Sequence, residues 1–571
     1  MPSLTTKVIS GHKYYYARVC KRVGGRPKIV QTIYLGTLEA MMARAQGTLS
    51  PTSPQEVHVA EFGGFAALYL MADRLRLVQT IDQHAPKRGQ GPSVGQYMLL
   101  AAINRALGPT SKSMIGEWFA ETVGPRLTGI HPQQLSSQAF WNHMDRIKHP
   151  ALLRIEDELL SRLLTEFKLD LNCLLYDATN FYTYIDTTTK SELARRGHNK
   201  QKRNDLRQVS LGMMTTTDFH IPLLHMVYGG NVADSTQFGS VIETLVSRYR
   251  ALSQACDQIT LVFDKGNNSA DNLGDFERTR LHFVGSLKLR ECPELLAVPL
   301  RKYRKLTSED LEGVSVYRTR REALGKERTV IVTHNENLLC GQLQGIGHNL
   351  AKGRGELQEL QQRLRRWASG RTKAGKRPTL EGTRKQIDHI LGREYLKKLL
   401  KVNIKECGTS LQVTYRFDLA AFRNLTRTTL GKTILFTDNH EWTDEQVVLA
   451  YRGQYHIEHA FREMKHPRFL GWNPRFHWTD QKIRVHAFYC VMALTLVGLL
   501  RRELAGQGLN IGTERLLKQL TGIREVMTVQ PRRADAKPNL SCALTHMNET
   551  QRKLYDLLNL DRFRSSPRLG S

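Results

Sequence analysis

Three carboxylates stand in settings that suit phosphodiester chemistry. Asp177 ends the apolar part of CLLYDATN, and Asp264 ends that of ITLVFDKG. An acid at the end of a buried strand is held rigidly and faces the crevice where α/β sheets bind ligands. Each could equally cap a turn. Glu458 belongs to YRGQYHIEHAFREMKH (451–466), a stretch dense in tyrosines, histidines and bases. At about 100° per residue, Tyr451, Tyr455, Glu458, Arg462 and Lys465 fall within roughly one third of a helix circumference. That face carries one acid, two bases and two tyrosines. It reads either as a metal-binding acid among phosphate-binding groups or as a solvated face on which Glu458 pairs with Arg462. Three carboxylates on a rigid frame suit two Mg²⁺ ions, which prefer oxygen ligands and retain several waters. Such a pair stabilises both the attacking and the leaving oxygen of a phosphodiester.

The elements that must carry these acids can be read from the chain. LDLNCLLYDATNFYTYI, QVSLGMMTTTD, IPLLHMVYGG, QITLVFDKG and HFVGSLKL are short and rich in apolar or β-branched residues, as strands are. One helix, QFGSVIETLVSRYRALSQ, precedes the fourth. Together they predict a mixed α/β core. The helix of Glu458 has a clear start: Thr443 as N-cap, Gln446 as its capping-box partner, and Trp442 with Val447 as a hydrophobic staple. It is expected to run to about Lys465. Upstream, KYYYARVCKRV and KIVQTIYLG flank Gly24-Gly25 as a hairpin, and a Ser/Thr/Pro linker follows near 48–57. Residues 58–168 show helical spacing. Between about 290 and 440, VSVYRTRREALGKERTVIVTHN and LQVTYRFD read as strands around a basic, mostly helical segment. Beyond 440 the pattern is helical, ending in a tail, FRSSPRLGS, that is expected to be disordered.

Composition narrows the partner. The chain has 571 residues, with 83 Lys+Arg against 54 Asp+Glu and a net charge of +29. That excess favours a polyanion, most often nucleic acid. Eight scattered cysteines without a C-x-x-C pair argue against a zinc site or a disulfide framework, and fit a reducing cytoplasm. No signal peptide is legible at the N-terminus. FYCVMALTLVGLL (488–500) is read as a buried core helix, too short to span a bilayer. GRTKAGKR (370–377) and GKT (431–433) each miss a P-loop, so no ATPase is expected. HIEH (456–459) is not a zinc-binding H-E-x-x-H; His456 and His459 flank the glutamate and read as structural residues first, with a place near phosphate as the alternative.

Several passages resemble a known family. YDATNFY, RGHNKQKRNDLRQVSLGM with IPLLHMVYGGNVADSTQF, LVFDKGNNSADNL, and YRGQYHIEHAFREMKHPRF with FHWTDQKIRVHAFYCVMALTL carry the likeness, as does the N-terminal YYYARVCKRVGGRPKIVQTIYLG. The chain is similar to DDE-type insertion-sequence transposases, in the IS1634-like lineage of the broad IS4/Tn5-related group. The resemblance implies an α/β fold: an RNase H-like catalytic core interrupted by a β-rich insertion domain, with a helical N-terminal DNA-binding region and a helical C-terminus. The corresponding boundaries are 1–47 for the small β unit and 58–168 for the helical region. The core spans 169–290 and 439–505 around an insertion at 291–438, and 506–571 is the C-terminal region.

The resemblance further implies Asp177, Asp264 and Glu458 as a catalytic, metal-binding triad for two Mg²⁺ ions, with Mn²⁺ as a substitute. Family members carry a tyrosine, an arginine, the glutamate and a lysine on the glutamate helix. These map to Tyr451, Gln454, Glu458 and Lys465, so a neutral glutamine replaces the arginine. Arg452 and Arg462 are candidates to supply the missing phosphate contact. The implied activity is cleavage of the element's ends and their joining to target DNA. The implied partners are double-stranded DNA, as terminal inverted repeats and target, and a second copy of the chain. No membrane is involved, and the implied location is the prokaryotic cytoplasm, at the nucleoid. Two other readings stay open: a non-catalytic DNA-binding relative, and a metal-dependent nuclease without strand transfer.

Overall fold

The structure is a computed structural model that describes the chain apart from residues 1, 24–25, 47–55, 88, 187, 198, 200–202, 204, 233–235, 241–242, 245–246, 248–258, 265, 267–272, 275–280, 372–376, 409, 473–475, 531–538 and 566–571. The Gly24-Gly25 turn lies outside the described residues. So do nearly all of the 48–57 linker, the greater parts of the helix over 237–254 and of GRTKAGKR, and most of the terminal tail.

Alternation in the first forty residues yields an antiparallel sheet. It comprises β1 (Pro2–Ile9), β2 (His12–Val23) and β3 (Arg26–Gly36), with β2 in the middle. The expected hairpin is β2–β3; β1, half of it polar, adds a strand that the sequence reading missed. β4 (Glu56–Glu61) follows.

The five apolar runs form one side of a nine-stranded sheet, ending at an edge. β5 (Cys173–Thr183), β6 (Arg207–Thr216) and β7 (Pro222–Gly229) make an antiparallel meander. β8 (Thr260–Phe263) lies parallel to β5 on its other side, and β9 (His282–Leu287) lies parallel to β8. All four residues of β8 are buried. That is what a parallel strand covered on both faces requires, and why its sequence is a continuous apolar run.

The region between β9 and the Glu458 helix departs from expectation. β10 (Arg304–Lys305), β11 (Val314–Ala323) and β12 (Lys326–Asn335) do not form a separate β-rich body. They extend the main sheet through β15 (Lys432–Thr437), which pairs antiparallel with β9, Ile434 facing Leu287. Only the stretch between β12 and β15 has small cores of its own. It is mainly helical: α2 (Glu336–Ala368) and α3 (Leu380–Leu391) pack Leu357, Leu360, Ile387 and Ile390 with the hairpin of β13 (Leu400–Cys407) and β14 (Ser410–Phe417).

The helices before β5 share one continuous core with the C-terminal third. Among them α1 (Val94–Leu107) starts at a Ser93/Gln96 capping box. It packs against α6 (Asp480–Gly506), the almost wholly buried helix that contains FYCVMALTLVGLL. At 27 residues, α6 is longer than the 13-residue run suggested and is long and apolar enough to cross a membrane. Burial inside the protein, not length, supports the core-helix reading. The C-terminal region is not purely helical either. Helix α7 (Thr513–Thr521) is followed by β16 (Arg524–Gln530) and β17 (Asn539–Leu544), which build a three-stranded sheet with β4.

The Glu458 helix begins as expected. Thr443 Oγ1 accepts from Gln446 N at 3.2 Å, and Gln446 Oε1 accepts from Thr443 N at 2.9 Å. It is not one helix, however. α4 (Asp444–Arg452) stops at Gly453 and α5 (Gln454–Met464) resumes at once. His456 N donates to Gly453 O at 2.9 Å, a tighter i→i+3 turn. Glycine weakens the helix at that point. It also lets the backbone approach β5: a Cβ at 453 would sit 3.4 Å from Leu175 Cδ2 and 3.0 Å from Ala450 O.

Candidate active site

Strand register decides where the first two acids meet. In the parallel pairing of β5 with β8, Tyr176 is opposite Phe263. Asp177 and Asp264, one residue further, therefore stand side by side, about 4.8 Å apart along the inter-strand direction. Side chains alternate between faces, so both carboxylates leave the sheet on the face opposite Tyr176 and Phe263. Those two aromatics pack on Phe238 beneath the sheet. The β8–β9 pairing sets Val262 opposite Val284, which brings Ser286 level with Asp264 on the same face. Three polar residues thus form a row across three adjacent strands.

Tyr451 closes over this row. Its hydroxyl lies 2.8 Å from Ser286 Oγ and 3.4 Å from Asp264 Oδ1. A carboxylate only accepts, and a phenol has one proton. The arrangement that satisfies all three has Ser286 donate to Tyr451 and Tyr451 donate to Asp264. Burial pushes the Tyr451 phenol up to about 12; the Ser286 hydrogen bond opposes this, and the charges of Asp264 and Glu458 add to it.

Helix α5 runs alongside β5. Gly453, just before it, sits at Leu175, and Lys465, just after it, donates from Nζ to Thr179 Oγ1 at 2.6 Å. The Lys465 ammonium also lies 5.2 Å from the centre of the Phe181 ring, on which Trp472 stacks at 4.2 Å. Leu175, Thr179 and Phe181 share the face of Asp177. Five residues of helix, from Gly453 to Glu458, advance about 7.5 Å. Two residues of strand, from Leu175 to Asp177, advance about 6.7 Å. Glu458 is therefore at the level of Asp177, on the exposed side of α5.

A family model described as a transposase DDE domain matches residues 169–496, more than half of the chain. The chain belongs to the DDE transposase family. Asp177, Asp264 and Glu458 all fall inside the matched span of this transposase. No significant match is found among curated proteins. Among solved structures, the transposase is similar to a piggyBac transposase synaptic complex with hairpin DNA. The identity is 8%, 82% of each chain is covered, and the TM-score is 0.36.

The remaining sequence-predicted residues of the transposase separate. The break at Gly453 turns Tyr451 inward, away from a shared exposed face with Tyr455. Arg452 donates from Nη1 to the Asp310 carbonyl at 2.8 Å, so its side chain serves the fold. Gln454 is half-buried, and its Nε2 is a shielded donor without a partner among the described residues. Arg462 is exposed and does not pair with Glu458. His456 and His459 pack against His220, with ring centres 4.9 and 5.7 Å apart. Glu463, the other acid of the motif, lies 3.5 Å from His459.

Ser286 was missed by sequence reasoning. Its only signal is a lone hydroxyl in the apolar strand HFVGSL. Among the described residues, no three His, Cys, Asp or Glu side chains converge closely enough to form a ready-made metal cage. Two adjacent carboxylates and a third on α5 supply hard oxygen donors, the kind Mg²⁺ takes, but hold them apart.

Proposed function

We propose that this transposase cuts the ends of an insertion sequence and joins them to target DNA, with Asp177, Asp264 and Glu458 as its catalytic carboxylates. The observation that carries the reading is the row of Asp177, Asp264 and Ser286 capped by Tyr451, with Glu458 level with Asp177. The strand order β9-β8-β5-β6-β7, three antiparallel and two parallel, supports an RNase H-like core. The segment between β12 and β15 is the insertion in that frame. The IS1634-like lineage rests on the motifs alone.

Asp177, Asp264 and Glu458 would hold Mg²⁺ or Mn²⁺, which when bound activates the attacking oxygen and neutralises the leaving one. The chain's own contribution is positioning. Tyr451 orients the Asp264 carboxylate and keeps its own proton at neutral pH. Lys465, anchored at Thr179, sets a positive charge beside Asp177, where a scissile phosphate needs neutralisation. Water, and then the freed 3′-hydroxyl, attacks phosphorus, and no covalent protein–DNA bond is needed. Handling two ends at once implies a homodimer on DNA.

Incubation of the protein with labelled end duplex and Mg²⁺ tests the reading. Cleavage followed by strand transfer is expected. Cleavage without joining would leave a nuclease, and binding without cleavage a non-catalytic relative. Asp177→Ala, Asp264→Ala and Glu458→Ala should each abolish cutting while end binding persists. Near wild-type cleavage by any of the three would remove that residue from the triad.

A further inference from the structure

We propose that the cavity between α5 and the N-terminus of α7 is a phosphate pocket that grips the DNA strand beside the acid face. The proposal rests on the transposase reading and adds a binding site to it. The cavity holds about 650 Å³. Arg462 lines it from α5, Phe469 and Leu470 form its apolar wall, and Thr513, Arg515 and Lys518 line it from α7.

Three features converge on an anion. First, the side chains of Arg462, Arg515 and Lys518 make no ion pair or hydrogen bond among the described residues, although Glu463 and Glu514 line the same cavity. Glu463 lies 3.5 Å from His459, and the three unpaired cations outnumber the two acids. Second, α7 opens into the cavity without a cap. Its N-cap residue is Gly512, which has no side chain to accept from the first N–H groups, and the first helical bond is Leu516 N to Gly512 O. Free N–H groups at a helix N-terminus bind phosphate. Third, Thr513 is only 7% exposed and its hydroxyl has no hydrogen-bond partner among the described residues. A buried, unsatisfied hydroxyl in a cavity wall is a group for a ligand to complete.

Position supports a DNA strand as the source of that phosphate. Arg462 is one turn beyond Glu458, about 6 Å along the axis and about 40° around it. Phosphates along a strand are spaced at about 3.4 Å of helix rise, so a strand crossing Glu458 reaches the cavity within one or two nucleotides. Phe469, half-buried at the cavity wall, then meets the sugar.

The test is binding of a fluorescent end duplex over a range of salt concentrations, by wild type, by Arg515→Ala/Lys518→Ala and by Thr513→Val. Thermal melts check that the variants are folded. The double variant, which alters two exposed side chains, should bind at least tenfold more weakly. The slope of its log K against log[salt] should flatten by about 1 to 2. Thr513→Val should bind several-fold more weakly without a loss of melting temperature. Millimolar dTMP and inorganic phosphate serve as competitors. Wild-type affinity and slope in the double variant would overturn the pocket while wild-type cleavage leaves the transposase reading standing. Wild type that binds dTMP at the cavity but not duplex would overturn the assignment to DNA. Wild type that neither binds nor cuts end duplex would instead remove the function on which the pocket depends.

Discussion

Replacing Tyr451 by Phe removes a single hydroxyl from the centre of the site. The ring stays, so packing is kept and only the link from Ser286 to Asp264 is lost. The 2.8 Å bond to Ser286 contributes about 1 kcal/mol, as neutral hydrogen bonds do. The 3.4 Å contact with Asp264 is too long for a full charge-assisted bond and adds less. Tyr451→Phe should therefore destabilise the protein by about 1–2 kcal/mol in urea unfolding. Cleavage should fall about five- to twentyfold, because roughly 1–1.8 kcal/mol of carboxylate orientation is lost. Duplex affinity should not change, since the hydroxyl faces the carboxylates and not solvent. Ser286→Ala removes the other end of the same relay. The double variant should cost little more than Tyr451→Phe alone, a coupling of about 1 kcal/mol in a double-mutant cycle. Strict additivity, or a Tyr451→Phe protein that cuts at the wild-type rate, would refute the relay.

Three further outcomes are expected. Gln454→Arg places a guanidinium where a half-buried amide donor lacks a partner among the described residues. If Arg462 now supplies the phosphate contact, Arg462→Ala should slow cleavage more in the Gln454 protein than in the Gln454→Arg variant, and equal losses in the two backgrounds would discard the compensation. Lys465→Ala should slow cleavage about tenfold or more, as loss of a transition-state cation does, with a smaller effect on binding; an unchanged rate would show that the Thr179 anchor is structural only. His477 is buried, accepts from the Lys112 ammonium across 2.6 Å, and is held well below the ordinary histidine value, first by burial and then by nearby positive charges. The unfolded chain protonates this histidine below about pH 6.5 while the folded chain does not, so stability is lost as pH falls through that point. His477→Gln should flatten that limb of a pH–stability curve, and an unaltered limb would assign it to other groups.

Part of this protein is determined locally and was open to reading. The runs CLLY and TLVF are continuous apolar segments because both faces of β5 and β8 are buried, and the acids that end them stand out for the same reason. The start of α4 is a contest between neighbouring groups, Thr443 and Gln446, so its box is visible in four residues. The +29 charge is a sum over residues and depends on no fold. Other features depend on partners distant in the chain. That Asp177, Asp264 and Ser286 stand level follows from the register of three strands, and a one-residue slip would send a side chain to the other face. Tyr451 points at Asp264 because Gly453 breaks the helix against Leu175, a contact between residues nearly three hundred positions apart. β11, β12 and β15 join the main sheet because β15 finds β9, although their alternation suits a separate sheet equally well. Arg462, Arg515 and Lys518 line one cavity only because α7 packs back beside α5. Local sequence sets what each segment can be, and the non-local pairing that buries apolar surface selects which side chains meet.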